Sequence, residues 1–155
     1  MPDVCVIAGS ISDKEVVAKC TTTLNMLGIP YEVHIASAHK TLDMVQEIVS
    51  KSDAEVFIAI AGLSAALPGV VSALTIKPVI GVPCSGKISL DAILSIVQMP
   101  QGVPVACVSL DGGTNAALLA ARILAIKNPE LTEKLHKYKM KLIEDVKEQN
   151  KKLQE

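Results

Sequence analysis

The chain has 155 residues, half of them hydrophobic and 2% aromatic, with a formal net charge of -1. That length suits one domain with a sizeable core, which must be built from Val, Ile, Leu and Ala. Balanced charge and the lack of aromatic platforms exclude a nucleic-acid binder. Pro, Gly and charged residues interrupt each apolar run before it reaches membrane-spanning length.

Four cysteines are present, and none falls in a CxxC pair. Cys5 and Cys107 sit in apolar runs and read as buried thiols. Cys84 follows a strand end and reads as the accessible one. No signal peptide is recognisable, so a cytoplasmic protein without a disulfide framework is expected.

In chain order, Val4–Ala8 is a continuous apolar run, the pattern of a strand buried on both faces. Gly9-Ser10-Ile11-Ser12-Asp13 is the next turn. Its glycine suits a tight bend, and Ser12 with Glu15 fits a capping box. Val16, Cys20, Leu24 and Leu27 mark one face of a helix ended by Gly28 and Pro30. Tyr31–Ile35 alternates as a strand. Ala36-Ser37-Ala38-His39-Lys40-Thr41 then turns into a helix over 41–50, carrying Met44, Val45 and Ile48.

The third strand is predicted at 56–60. It runs into Ala61-Gly62-Leu63-Ser64-Ala65-Ala66, and Val70, Val71 and Leu74 follow on a helix. A fourth strand is predicted at 78–82, a loop at 83–87 and a helix at 89–99. Pro100, Gly102 and Pro104 break that helix. A fifth strand at 105–108 and a turn at 111–114 lead into a helix over 115–126. Strand and helix thus alternate five times. This predicts a three-layer α/β fold, a doubly wound parallel sheet with helices on both faces. The strand order expected is 2-1-3-4-5, that of flavodoxin-like folds, which the alternation alone does not fix. After Pro129, the stripe Leu131, Leu135, Tyr138, Leu142, Val146 and Leu153 marks a long amphipathic helix. It can pack on its own sheet, but it overhangs a compact domain, and its stripe favours packing at least partly on a neighbouring subunit.

Three turns carry candidate chemistry. The start of the helix after Gly9 offers free N–H groups and a positive dipole end to an anion. Ser10 adds a hydroxyl, and Asp13 is an acceptor for ribose hydroxyls. The pattern is neither GxGxxG nor a Walker loop, so no dinucleotide or nucleoside-triphosphate site is indicated. His39 can move a proton near neutral pH, and Lys40 beside it can meet a phosphate. Gly62 permits close ligand approach, and Ser64 supplies a hydroxyl without the GxSxG setting of a nucleophile. The loop 83–87 and residues 98–102 are candidate walls. His34 reads as structural and His136 as solvated. Three scattered histidines with no carboxylate or thiolate cluster make a poor metal site.

Five segments carry a resemblance. They are Gly9-Ser10-x-Ser12-Asp13, Ser37-Ala38-His39-Lys40-Thr41, Ala61-Gly62-x-Ser64, residues 95–100 and residues 115–120. Together, from Val4 to about Leu135, the chain resembles the aminoimidazole ribonucleotide carboxylase family of purine biosynthesis. The resemblance implies a flavodoxin-like subunit forming one domain over 1–155, with an α/β core at 1–127. The helix at 129–155 would serve assembly, usually into a homo-octamer. It implies a small ribonucleotide substrate, carbon dioxide, and no cofactor or metal. By position, Ser10, Asp13 and Lys40 would bind the ribose phosphate, Ser37, Gly62 and Ser64 would line the site, and His39 would be the general acid/base.

Two branches exist in the family. A mutase moves a carboxylate from N5 of the ligand to C4, and a carboxylase uses free carbon dioxide. The mutase branch looks like Ser-Ala-His-Arg-Thr-Pro and Ala-Gly-Gly-Ala-Ala-His-Leu-Pro-Gly. Here Lys40, Leu42 and Ala66 depart from it. Lys40 and Ser64 match the carboxylase branch, although Leu63 replaces its arginine. Leu67-Pro68-Gly69 and residues 95–100 look more like the mutase. Because the departures from the mutase fall beside the ligand, direct carboxylation is the reading favoured from sequence, with the mutase as the alternative. A non-catalytic flavodoxin-like binding module is the remote alternative, and it leaves the His39-Lys40 pair unexplained.

Overall fold

The strand–helix alternation of the sequence folds around a single sheet. A computed structural model describes residues 1–154. Its elements are β1 (Val4–Ala8), a 3-10 turn (Ile11–Asp13), α1 (Lys14–Leu27), β2 (Tyr31–Ile35), α2 (Leu42–Lys51) and β3 (Val56–Ala61). There follow α3 (Leu67–Leu74), β4 (Val79–Pro83), α4 (Ser89–Val97), β5 (Ala106–Cys107), α5 (Gly113–Ala125) and α6 (Pro129–Gln154). All strand pairs are parallel, in the order β2-β1-β3-β4-β5.

The two-residue period of a strand sends alternate side chains to opposite faces. Val4, Val6 and Ala8 pack with Val16, Cys20, Leu24 and the alanines of α5. Cys5 and Ile7 face the other way, towards Val45, Val49, Val71 and Ile96 of α2, α3 and α4. β1, β3 and β4 are buried throughout, whereas the edge strand β2 is half open. Gly113 explains how closely α1 and α5 approach. A Cβ there would lie 2.2 Å from the Val16 carbonyl oxygen. Ala116, Ala117, Ala120 and Ala121, all buried, continue that contact.

Several boundaries differ from the sequence reading. Ser12 does not cap α1. The first turn is 3-10, and Ser10 caps it, its Oγ accepting the Ser12 N–H at 3.3 Å. Asp13 stands at the N-cap of α1 without a side-chain cap bond. α4 stops at Val97 rather than at residue 99, since Pro100 disfavours helical backbone just before it. β5 is reduced to two residues behind Pro104, which has no N–H to give the ladder. Cys84 is buried, not accessible, while Cys107 is only partly covered. Burial pushes the Cys5, Cys20 and Cys84 thiols up to about 12.

α6 packs on α5 and α1 through Leu131, which is buried, and Leu135. Further along, Met140, Leu142, Ile143, Val146 and Leu153 are exposed. No helix of the described residues is long and apolar enough to cross a membrane.

Candidate active site

Open α/β sheets bind ligands beyond the carboxyl ends of their strands. Here the turns after β1, β2 and β3 enclose a cleft of about 550 Å³ at that edge. Ser10 and Asp13 line it from the first turn, and Ser37, His39 and Lys40 from the second. Gly62 and Ser64 line it from the third. The seven residues expected from sequence therefore share one space. Of the loop 83–87, only Ser85 reaches it. Residues 98–102 do not line it, contrary to the sequence reading. The Met99 side chain instead covers α3, within 3.0 Å of where a Gly69 Cβ would be.

The second turn is closed by its own ends. The Ser37 N–H donates to Thr41 Oγ1 at 2.9 Å, and the Thr41 N–H returns to the Ser37 carbonyl at 2.9 Å. The Lys40 N–H donates to Ser37 Oγ at 3.3 Å. These bonds hold Ala38, His39 and Lys40 as a projecting turn, with His39 and Lys40 exposed. Lys40 pairs with no carboxylate among the described residues, so its ammonium is available to an anion.

The third turn carries backbone strain. Ser64 has φ 48, in the left-handed region, which costs an L-residue about 1–2 kcal/mol. Such strain clusters where a ligand is held. The Ser64 N–H donates to Asp91 Oδ2 of α4 at 3.0 Å, which fixes the turn. Gly62 has ordinary backbone, and a Cβ on it would meet only Cys84 Cβ, at 3.7 Å. No protein atom there forbids a side chain, so the space is left to the cleft. Gly9 likewise lacks a left-handed φ, so the first turn does not need a glycine for its bend.

Asp13 is expected in the site from sequence, but its closeness to Cys84 and Asp111 is not. Asp13 is partly desolvated, which pushes its carboxyl up. Hydrogen bonds from Cys84 and Ser12 oppose that shift, and the Asp111 charge adds to it. Burial first, and then the charges of Asp13 and Asp111, push the Cys84 thiol up. Asp111, with φ 54, accepts the Ser85 N–H at 2.8 Å. Bonds from Ser85 hold the Asp111 carboxyl below its ordinary range. Asp111-Gly112-Gly113 reads in sequence only as a turn before a helix, and its long-range contact had no local signal.

Of the other histidines, His136 is exposed on α6. His34 is not isolated, because β1–β2 pairing brings it to Glu32 and Cys5. The cleft itself gathers one free cation, several hydroxyls, a partly desolvated carboxyl and one exposed imidazole. That set suits a phosphorylated, hydroxyl-bearing ligand and a proton transfer.

The family model described as AIR carboxylase matches residues 3–145. A Methanocaldococcus jannaschii protein named N5-carboxyaminoimidazole ribonucleotide mutase is 50% identical over 153 residues, covering 98% of each chain. A Pyrococcus horikoshii protein of the same name is 48% identical over 159 residues, covering 99% of this chain and 90% of its own. The crystal structure of Treponema denticola PurE matches with a TM-score of 0.89 at 32% identity, covering 100% of both chains. The chain belongs to the AIR carboxylase family.

Proposed function

We propose that the protein is an N5-carboxyaminoimidazole ribonucleotide mutase of purine biosynthesis. The observation that carries this reading is the mutase name borne by a relative 50% identical over nearly the full length of both chains. It favours the mutase over the direct carboxylation that Lys40 and Ser64 suggest in sequence. Lys40 keeps the cation that a phosphate needs, so that departure is compatible with either branch.

In this reading Ser10, Asp13 and Lys40 hold the ribose phosphate, with Ser37, Gly62 and Ser64 against the rest of the ligand. The reaction is an isomerisation. The N5–carboxyl bond breaks, carbon dioxide is released within the cleft, and N5 takes up a proton. The enamine carbon C4 attacks the carbon dioxide, forming the new carbon–carbon bond. C4 then loses its proton. His39 is the carrier, giving a proton at N5 and recovering one from C4. The imidazole ends in its starting state. An imidazole both donates and accepts a proton, which suits the two transfers. The exposed apolar end of α6 supports assembly with further copies of the chain, for which an octamer is the family expectation.

The test is a paired assay at limiting enzyme. One reaction receives N5-carboxyaminoimidazole ribonucleotide, and the other aminoimidazole ribonucleotide with bicarbonate. The mutase reading predicts faster product from the first. Faster product from the second returns the assignment to the carboxylase.

A further inference from the structure

A second cluster of titratable side chains lies away from the cleft, near the start of the strands. Parallel register sets Cys5 opposite Glu32, and the strand period puts His34 on the same face as Glu32. The Cys5 thiol, a Glu32 carboxylate oxygen and a His34 ring nitrogen all lie within 4.8 Å of one another. His34 Nε2 and Glu32 Oε2 are 3.0 Å apart. The other Glu32 oxygen accepts from the Ser52 hydroxyl at the C-cap of α2. Around them this face is mostly apolar, with Ile7, Val45, Val49 and Phe57 in the same core cluster as Cys5. Packing alone does not call for a thiol, a carboxylate and an imidazole to converge there.

We propose that Cys5, Glu32 and His34 form a site for one divalent transition-metal ion of the zinc type. A thiolate, an imidazole nitrogen and a carboxylate oxygen are donors that zinc takes, and three protein ligands leave a fourth position for water. Metal–ligand bonds of about 2.0–2.3 Å set tetrahedral ligand atoms roughly 3.3–3.8 Å apart. Separations of at most 4.8 Å therefore need side-chain movements on the order of 1 Å to close around an ion.

Entry is from the sheet edge, where the His34 and Glu32 side chains are 35% and 30% exposed. Binding exchanges the thiol proton, released to water, and the His34–Glu32 hydrogen bond for metal bonds. Thiolate and carboxylate together neutralise the ion. Lys77, whose Nζ donates to the Ser52 carbonyl at 3.1 Å, is the nearby cation. It favours the thiolate and opposes the ion. A bound ion would pin edge strand β2 to β1, and it is independent of the chemistry proposed for the cleft.

The test uses the full-length protein, stripped with a chelator and titrated with cobalt(II) as a coloured stand-in for zinc. The expected result is a saturable, one-to-one thiolate-to-cobalt charge-transfer band with the visible bands of a tetrahedral ion, bleached by added zinc. Cys5→Ser removes the charge-transfer band, and Cys84→Ser leaves it unchanged. Losing even an outer-shell partner of a metal ligand typically costs about 10- to 100-fold in affinity, so His34→Gln weakens binding at least that much. No saturable band, or a band that survives Cys5→Ser or disappears with Cys84→Ser, overturns the site. If Cys5→Ser does not fold, His34→Gln decides alone, because its side chain is partly exposed on an edge strand. Cobalt affinity equal to that of the unmodified protein then overturns the site.

Discussion

The Ser37 N–H and the Thr41 hydroxyl oxygen meet at 2.9 Å, four residues apart, and between them the chain projects His39 and Lys40 into the cleft. Thr41 thus holds the turn without lining the cleft. Thr41→Val keeps the side-chain shape and removes the acceptor. An unsatisfied, partly buried N–H costs about 1–3 kcal/mol, so a denaturation midpoint should fall accordingly and turnover should fall with it. Thr41→Ser should restore both. A valine variant with full stability and turnover would show that the bond does not position the turn.

Asp13 should trade stability against binding. Its folded pKa lies above the ordinary 3.8, chiefly through desolvation. The stability this contributes is fully present below 3.8 and is lost as pH rises through the folded value. At neutral pH the ionised carboxylate is therefore a burden on the fold. Asp13→Asn should raise the thermal midpoint at neutral pH, with the gain shrinking in acid, while ribonucleotide affinity falls. A lower midpoint at neutral pH would contradict this account of the carboxyl.

The end of α6 should matter for assembly and not for the fold of one chain. Leu142 and Val146 are 49% and 63% exposed. Surface substitutions away from packed features usually change stability by no more than about 0.5 kcal/mol. Leu142→Glu with Val146→Glu should leave helicity intact and lower the mass seen by sedimentation. An unchanged mass would remove α6 from the interface.

Much of the site was legible because each candidate residue falls in a turn directly after a strand. That placement alone sends Ser10, His39 and Ser64 to one edge of a parallel sheet. The strand order β2-β1-β3-β4-β5 matches the one expected from flavodoxin-like folds, because alternation alone does not fix it. What stayed hidden depends on contacts between distant segments. Asp91 reaches Ser64 across 27 residues, and Asp111 reaches Ser85 across 26. Glu32 meets Cys5 only through the β1–β2 register. The burial of Cys84 also follows from its neighbours across the sheet. Local rules misplaced the helix cap because Ser10 and Ser12 are both competent caps, and the 3-10 turn selects Ser10.

In the proposed reaction the His39 imidazole carries the proton at the ligand's ring while other residues hold the phosphate. The most direct measurement compares His39→Asn with the unmodified protein, by turnover and by calorimetric titration of the ribonucleotide. Positioned proton transfer is worth about 100- to 10,000-fold, so turnover should fall by that factor with affinity nearly unchanged. Unimpaired turnover, or affinity lost in step with turnover, would contradict the role given to His39.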